Sequence, residues 1–176
     1  AGFGATNLIY NAGAILKFCS ISSNAVDMKL NGNSAYQGNL CVINSANSAT
    51  TCSIKINNNK FGNVVNAVLP GTGGIQFISN TADADSLQIN TNTWQNIHLN
   101  HSGPQYLIQN MASIGTKLSV CNNTVSKYSR LQAGNTWFYY ANSNGSLNAT
   151  ETFSGNLLSD LNILSAGNAG IIAFQC

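Results

Sequence analysis

The chain is 176 residues long, 44% hydrophobic and only 7% charged, with a formal net charge of +2. Average soluble domains carry about 25% charged residues, so solubility here rests on Asn, Ser, Thr, Gln and Gly. The seven Lys and Arg are scattered without a basic run, which excludes nucleic-acid binding through phosphate neutralisation, and no apolar run is long enough for membrane insertion.

Taken in order, the chain reads as a succession of short strands. Thr6 to Tyr10 and Ile15 to Ile21 are β-like runs broken at Asn11-Ala12-Gly13. Val26 to Leu30 alternates cleanly and leads into Asn31-Gly32, a turn signal because both residues tolerate positive φ. Leu40 to Asn44 and Thr51 to Asn57 are rich in β-branched residues and flank a polar link. They predict a hairpin that sets Cys41 opposite Cys52. Val64 to Leu69, Ile75 to Ile78, Ser86 to Asn90, Trp94 to Leu99, Tyr106 to Gln109, Thr116 to Cys121 and Thr136 to Tyr140 continue the series. Asn144-Gly145 marks another turn, and Ile171 to Cys176 closes the chain as a strand.

One segment departs from this pattern. Leu157, Leu158, Leu161 and Leu164 recur at helical spacing before Gly167, so a short helix is expected near 156–165. Strand signals arrive about every eight to twelve residues, the rhythm of a β-sandwich or barrel. No fixed-period repeat and no composition shift stands out. The expected fold is all-β: a single-domain β-sandwich of jelly-roll or Ig-like type spanning residues 1–176.

Five cysteines, at positions 19, 41, 52, 121 and 176, show no CxxC spacing and only two histidines accompany them, so no zinc site is expected. Two disulfides with one cysteine left over is the reading, which implies an extracellular or cell-surface location. Cys41 with Cys52 is the favoured pair, worth roughly 2.5–3 kcal/mol by chain entropy. Cys121 with Cys176 would tie the last strand to the body, and Cys19 would remain a thiol.

Catalytic constellations are absent. His98 and His101 have no nucleophile motif such as G-x-S-x-G to serve, and the chain owns only five carboxylate side chains. No enzyme activity and no cofactor are expected. Asp83-Ala84-Asp85-Ser86 is the one acidic cluster, but it falls short of a calcium-loop pattern, so no metal is expected. A carboxylate beside amide donors and an aromatic face suits a neutral sugar instead. The ligand-binding candidates are therefore Asp83, Asp85, Asn90, Asn92, Trp94 and Gln95, together with Trp137 and Tyr139. Strand alternation places these last two on one face, opposite Phe138 and Tyr140.

In its low charge, its Asn, Ser and Gly content and its strand rhythm, the chain resembles the receptor-binding domains of bacterial fimbrial adhesins. That resemblance implies an extracellular adhesin or lectin-like domain recognising a glycan or host-surface receptor through loops on a rigid scaffold. It carries over no individual residue. The alternative is a pilus or filament subunit, assembled with other subunits by strand exchange through the N-terminal segment of residues 1–16.

Overall fold

The computed structural model describes residues 6–29, 40–46, 50–142, 149–163 and 169–175. Every regular element among them is a strand. In chain order they are β1 (Thr6–Asn11), β2 (Phe18–Ser22), β3 (Ala25–Lys29), β4 (Leu40–Ser45), β5 (Ser53–Asn57), β6 (Lys60–Gly71), β7 (Ile75–Asn80), β8 (Ala84–Asn90) and β9 (Thr93–His101). There follow β10 (Gln105–Asn110), β11 (Ile114–Cys121), β12 (Thr124–Arg130), β13 (Gly134–Ala141), β14 (Thr150–Ser154), β15 (Leu157–Leu158), β16 (Leu161–Ile163) and β17 (Ala169–Gln175).

All the pairings are parallel, and strands pair with the one three places along the chain, except that β13 pairs with β17 and β12 takes β16 as well as β15. The first sheet runs β1-β4-β7-β10-β13-β17, the second β14-β11-β8-β5-β2, and the third β15-β12-β9-β6-β3 with β16 beside β12. The chain therefore winds as a β-solenoid, laying one strand in each of three sheets per turn. This overturns the expected jelly-roll or Ig-like sandwich, whose sheets are antiparallel. A three-strand turn and a meander space their strands alike, so rhythm alone could not separate them.

The predicted hairpin is likewise corrected. β4 pairs with β1 and β7, and β5 pairs with β2 and β8, so the two runs lie in different sheets. Cys19, Cys41, Cys52 and Cys121 are free thiols, and no disulfide occurs among the described residues. Cys176 and the turns at Asn31-Gly32 and Asn144-Gly145 lie outside the described residues.

Each turn passes the corner between the second and third sheets in the same way. Ser23, Asn58, Thr91, Asn122 and Gly155 adopt φ of 60°, 57°, 56°, 56° and 62°. The residue after each is asparagine: Asn24, Asn59, Asn92, Asn123 and Asn156. These five form a ladder. The backbone N–H of each of the first four donates to Oδ1 of the next at 2.9–3.1 Å. Nδ2 of Asn59, Asn92, Asn123 and Asn156 also reaches a carbonyl of the second sheet, on Ile21, Ile56, Ile89 and Val120, at 2.8–2.9 Å. Buried amides are tolerated because both ends of each are satisfied. The αL position itself suits Gly and Asn.

A second left-handed position recurs within the third sheet, at Asn63, Asn96, Lys127 and Asp160. It shifts the in-out alternation by one residue, so inward side chains fall three apart. Trp94 and Ile97 are buried on either side of Asn96, and Val125 and Tyr128 on either side of Lys127. Leu158 and Leu161 pack on the core around Asp160 in the same manner. This is why Leu158 and Leu161 imitate helical spacing: over the described part of the expected helix near 156–165 the chain forms strands β15 and β16, and Leu164 lies outside the described residues.

The interior is filled by Ile54, Ile56, Leu87, Ile89, Leu118 and Val120 from the second sheet, facing aromatic side chains of the other two. Phe61 stacks on Trp94 with centroids 5.2 Å apart, Phe77 meets Phe61 edge-on at 5.6 Å, and Phe138 meets Trp94 edge-on at 6.4 Å. Near the turn after β12, the fully buried Arg130 guanidinium donates to the carbonyls of Gln132, Asn135, Gly103 and Ala133 at 2.8–2.9 Å. The room it needs comes from Gly134, at φ 126°, where a Cβ would lie 2.2 Å from Nη2.

Candidate functional site

The sequence candidates fall on different parts of the coil. Trp94 is fully buried between Phe61 and Phe138, so its ring meets no solvent. Asn92 is a rung of the amide ladder and is equally inaccessible. Asn90 lies on the outer face of the second sheet, where its Oδ1 accepts from the Cys121 N–H at 2.9 Å and from the Ser119 hydroxyl at 3.2 Å. Asp83 is exposed, and its Oδ1 accepts from the Ser113 N–H at 2.8 Å. Asp85 is half-buried at the start of β8, with its backbone carbonyl accepting from Thr116 at 3.1 Å.

Trp137 and Tyr139 do not share a face. Tyr139 is fully buried, as is Phe138. Trp137 is half-buried and stacks on Tyr106 at 4.8 Å, with Tyr140 tilted against Tyr106 and edge-on to Trp137. Its indole N–H donates to Gln175 at 2.6 Å. Tyr106 and Trp137 are register partners on neighbouring strands, so the rings lean on each other along the coil rather than opening a face outward.

Gln95 is the candidate that stands free. It is exposed on β9 and lines a groove of about 440 Å³ on the outer face of the third sheet, with Asp27, Lys60, Gly62, Thr93 and Asn96. Register explains the alignment. Asp27 pairs with Gly62, Gly62 with Gln95 and Gln95 with Ser126, while Lys60 pairs with Thr93 and Thr93 with Thr124. Two rows of outward side chains thus run along the coil, one residue per turn, with Gly62 as the gap. A Cβ at Gly62 would lie 2.9 Å from Oδ1 of Asp27, so the bare backbone there lets the carboxylate lean over it.

Among the described residues, the side chains of Asp27, Lys60, Thr93 and Gln95 form no hydrogen bond or ion pair with the rest of the chain. Their acceptors and donors are unspent. No group of His, Cys, Asp and Glu able to hold a metal ion occurs among the described residues.

The remaining reactive side chains lie elsewhere. His98 is exposed with Nδ1 2.6 Å from the Ser129 hydroxyl. His101 is buried, and burial holds its pKa below the usual imidazole value, with Arg130 adding to the effect against a hydrogen bond at Gly73. Burial pushes the Cys41 thiol up to about 12 and also raises Cys19. At Cys121 burial pushes the pKa up, but hydrogen bonding to Ser119 and Ser154, with Lys117 nearby, outweighs it and the net shift is downward.

Sequence reasoning missed Asp27, Lys60 and Gly62 because they are far from Gln95 along the chain. The signal that could have joined them is the spacing of the ladder asparagines, separated by 35, 33, 31 and 33 residues. Stepping back 33 from Gln95 reaches Gly62, and 35 further reaches Asp27.

Fold and groove together define a parallel β-solenoid, poor in charged residues, with an open groove across its turns. Comparison with protein-family models, with curated proteins and with solved structures found no match.

Proposed function

We propose that the chain is a glycan-binding module whose ligand lies in the groove of the third sheet. The observation that supports this is the row of unspent polar groups around Gly62. Sugar hydroxyls both donate and accept, and the groove offers a carboxylate and an amide oxygen as acceptors, with an amide and an ammonium as donors. The charges of Asp27 and Lys60 balance, so an uncharged ligand loses little by displacing water. On this reading the module works at a cell surface or outside the cell, where glycans are displayed.

No aromatic face is open in the groove, since the Phe61 ring is buried against Trp94. Binding therefore depends on hydrogen bonds, each worth about 0.5–1.5 kcal/mol net, or about 1.5–3 where a charge takes part. A single ring engaging two or three of them would reach only about millimolar affinity after ordering costs. A glycan panel followed by calorimetry tests the assignment. Gly62→Val should fill the gap and weaken binding more than tenfold, and equal affinity in wild type and Gly62→Val would refute this site.

A filament subunit is the second reading, favoured by β1 and β17, the end strands of the first sheet, each paired on one side only among the described residues. Concentration-dependent polymers that vanish on deleting residues 1–16 would support it over a monomeric glycan binder.

A further inference from the structure

Resting on the glycan reading, we infer that the ligand is a linear, equatorially linked neutral polysaccharide lying parallel to the coil axis, with one sugar unit per turn of the solenoid. Three features of the groove lead there. Its polar side chains are arranged in line rather than in a ring: Asp27 and Gln95 flank Gly62 in register across β3, β6 and β9, Lys60 and Thr93 form a parallel row, and beyond the groove the register carries the two rows on to Ser126 and Thr124 of β12.

The spacing is also that of a repeating polymer. Neighbouring strands lie about 4.8 Å apart, and a pyranose joined through equatorial oxygens at both ends advances by nearly the same distance. Successive units would therefore reach successive turns, with neighbouring units turned over so that like edges recur every second turn. The four positions from Asp27 to Ser126 span roughly three such steps, about 14 Å.

Finally, the groove supplies too few contacts per turn to hold one sugar. With Phe61 turned inward there is no stacking platform, and each turn offers one to three polar side chains. Useful affinity has to be summed along the chain of the ligand. The unspent ammonium of Lys60 beside the carboxylate of Asp27 leaves the row near neutral, which suits uncharged units over uronates.

The test is a calorimetric series with β-1,4-linked glucose oligomers of one to six units. Affinity should rise about tenfold with each unit from two to four and then level off, with the monosaccharide no tighter than about millimolar. Ser126→Trp, which walls the fourth position, should lower tetramer affinity to that of the trimer and leave the dimer unchanged. Backbone amide shifts on titrating the tetramer should run along β3, β6, β9 and β12, a readout that needs no variant.

Equal affinity for the monosaccharide and the tetramer would overturn the inference while leaving glycan binding standing. So would a panel in which only branched or α-linked glycans bind. If no glycan of either set binds, the glycan reading itself fails and the inference falls with it.

Discussion

Two regions of this molecule use the same kind of side chain to opposite ends. At the corner between the second and third sheets, the buried asparagines from Asn59 to Asn123 spend amide oxygen and nitrogen alike on their neighbours and the backbone. A few residues further along the same strands, Gln95, Thr93, Lys60 and Asp27 spend nothing on the chain. The difference is burial. Inside, an amide without partners costs about 1–3 kcal/mol, so the sequence satisfies it; outside, water does so until something else takes its place.

The sharpest way to break the comparison is to empty the interior beside it. Trp94→Ala removes a fully buried ring packed on Phe61 and Phe138, and should lower unfolding free energy by about 3–5 kcal/mol in urea titration. A loss under about 1 kcal/mol would mean that the indole does not pack as described. Next, Asn92→Leu should cost about 3 kcal/mol, because the N–H of Asn59 and the carbonyl of Ile56 lose their partners. In the groove, Gly62→Val should reverse the signature. Oligosaccharide binding would fall more than tenfold while the urea midpoint moves little, since this glycine has no left-handed φ to protect.

His101 gives a smaller, pH-dependent effect. Its folded pKa is lowered, so the folded state resists protonation while the unfolded state titrates near 6.5. Stability should be intact above that value and fall with acidification towards the lower folded pKa, by up to about 1.4 kcal/mol per pH unit. His101→Phe should flatten that slope between pH 7 and 5, and an unchanged slope would assign it to other groups. Smallest of all, Gln95→Ala should weaken binding severalfold without altering the melting temperature, and an unchanged dissociation constant would remove Gln95 from the contact set.

Much of the local structure was legible in the sequence. The runs 75–78, 86–90, 94–99, 106–109 and 136–140 each fall inside a strand, because β-branched and aromatic residues mark half-buried pleated surface. Two strands, β12 and β14, went unread. In β12 the left-handed Lys127 spaces Val125 and Tyr128 three apart, and the inward Arg130 looks polar in sequence. The same device made the leucines around Asp160 resemble a helix.

What was hidden is the parallel winding. Turns of 31 to 35 residues blur any fixed period, and the recurring asparagines are lost among many others. Of the candidate site, Gln95 alone carried through to the groove. Trp94 and Asn92 were picked for chemistry that suits a sugar, but at those positions the same groups serve the core.

The asparagine corner has a bearing on how such a molecule can grow. Each repeat of it is closed by contacts to the repeat before and after, while the unequal lengths between corners are taken up in the links from one sheet to the next. A duplicated segment running from one corner to the next would carry both its donor and its acceptor, and would slot into the stack as an extra layer. Extending the rod would then require copying, with no redesign of what is already there.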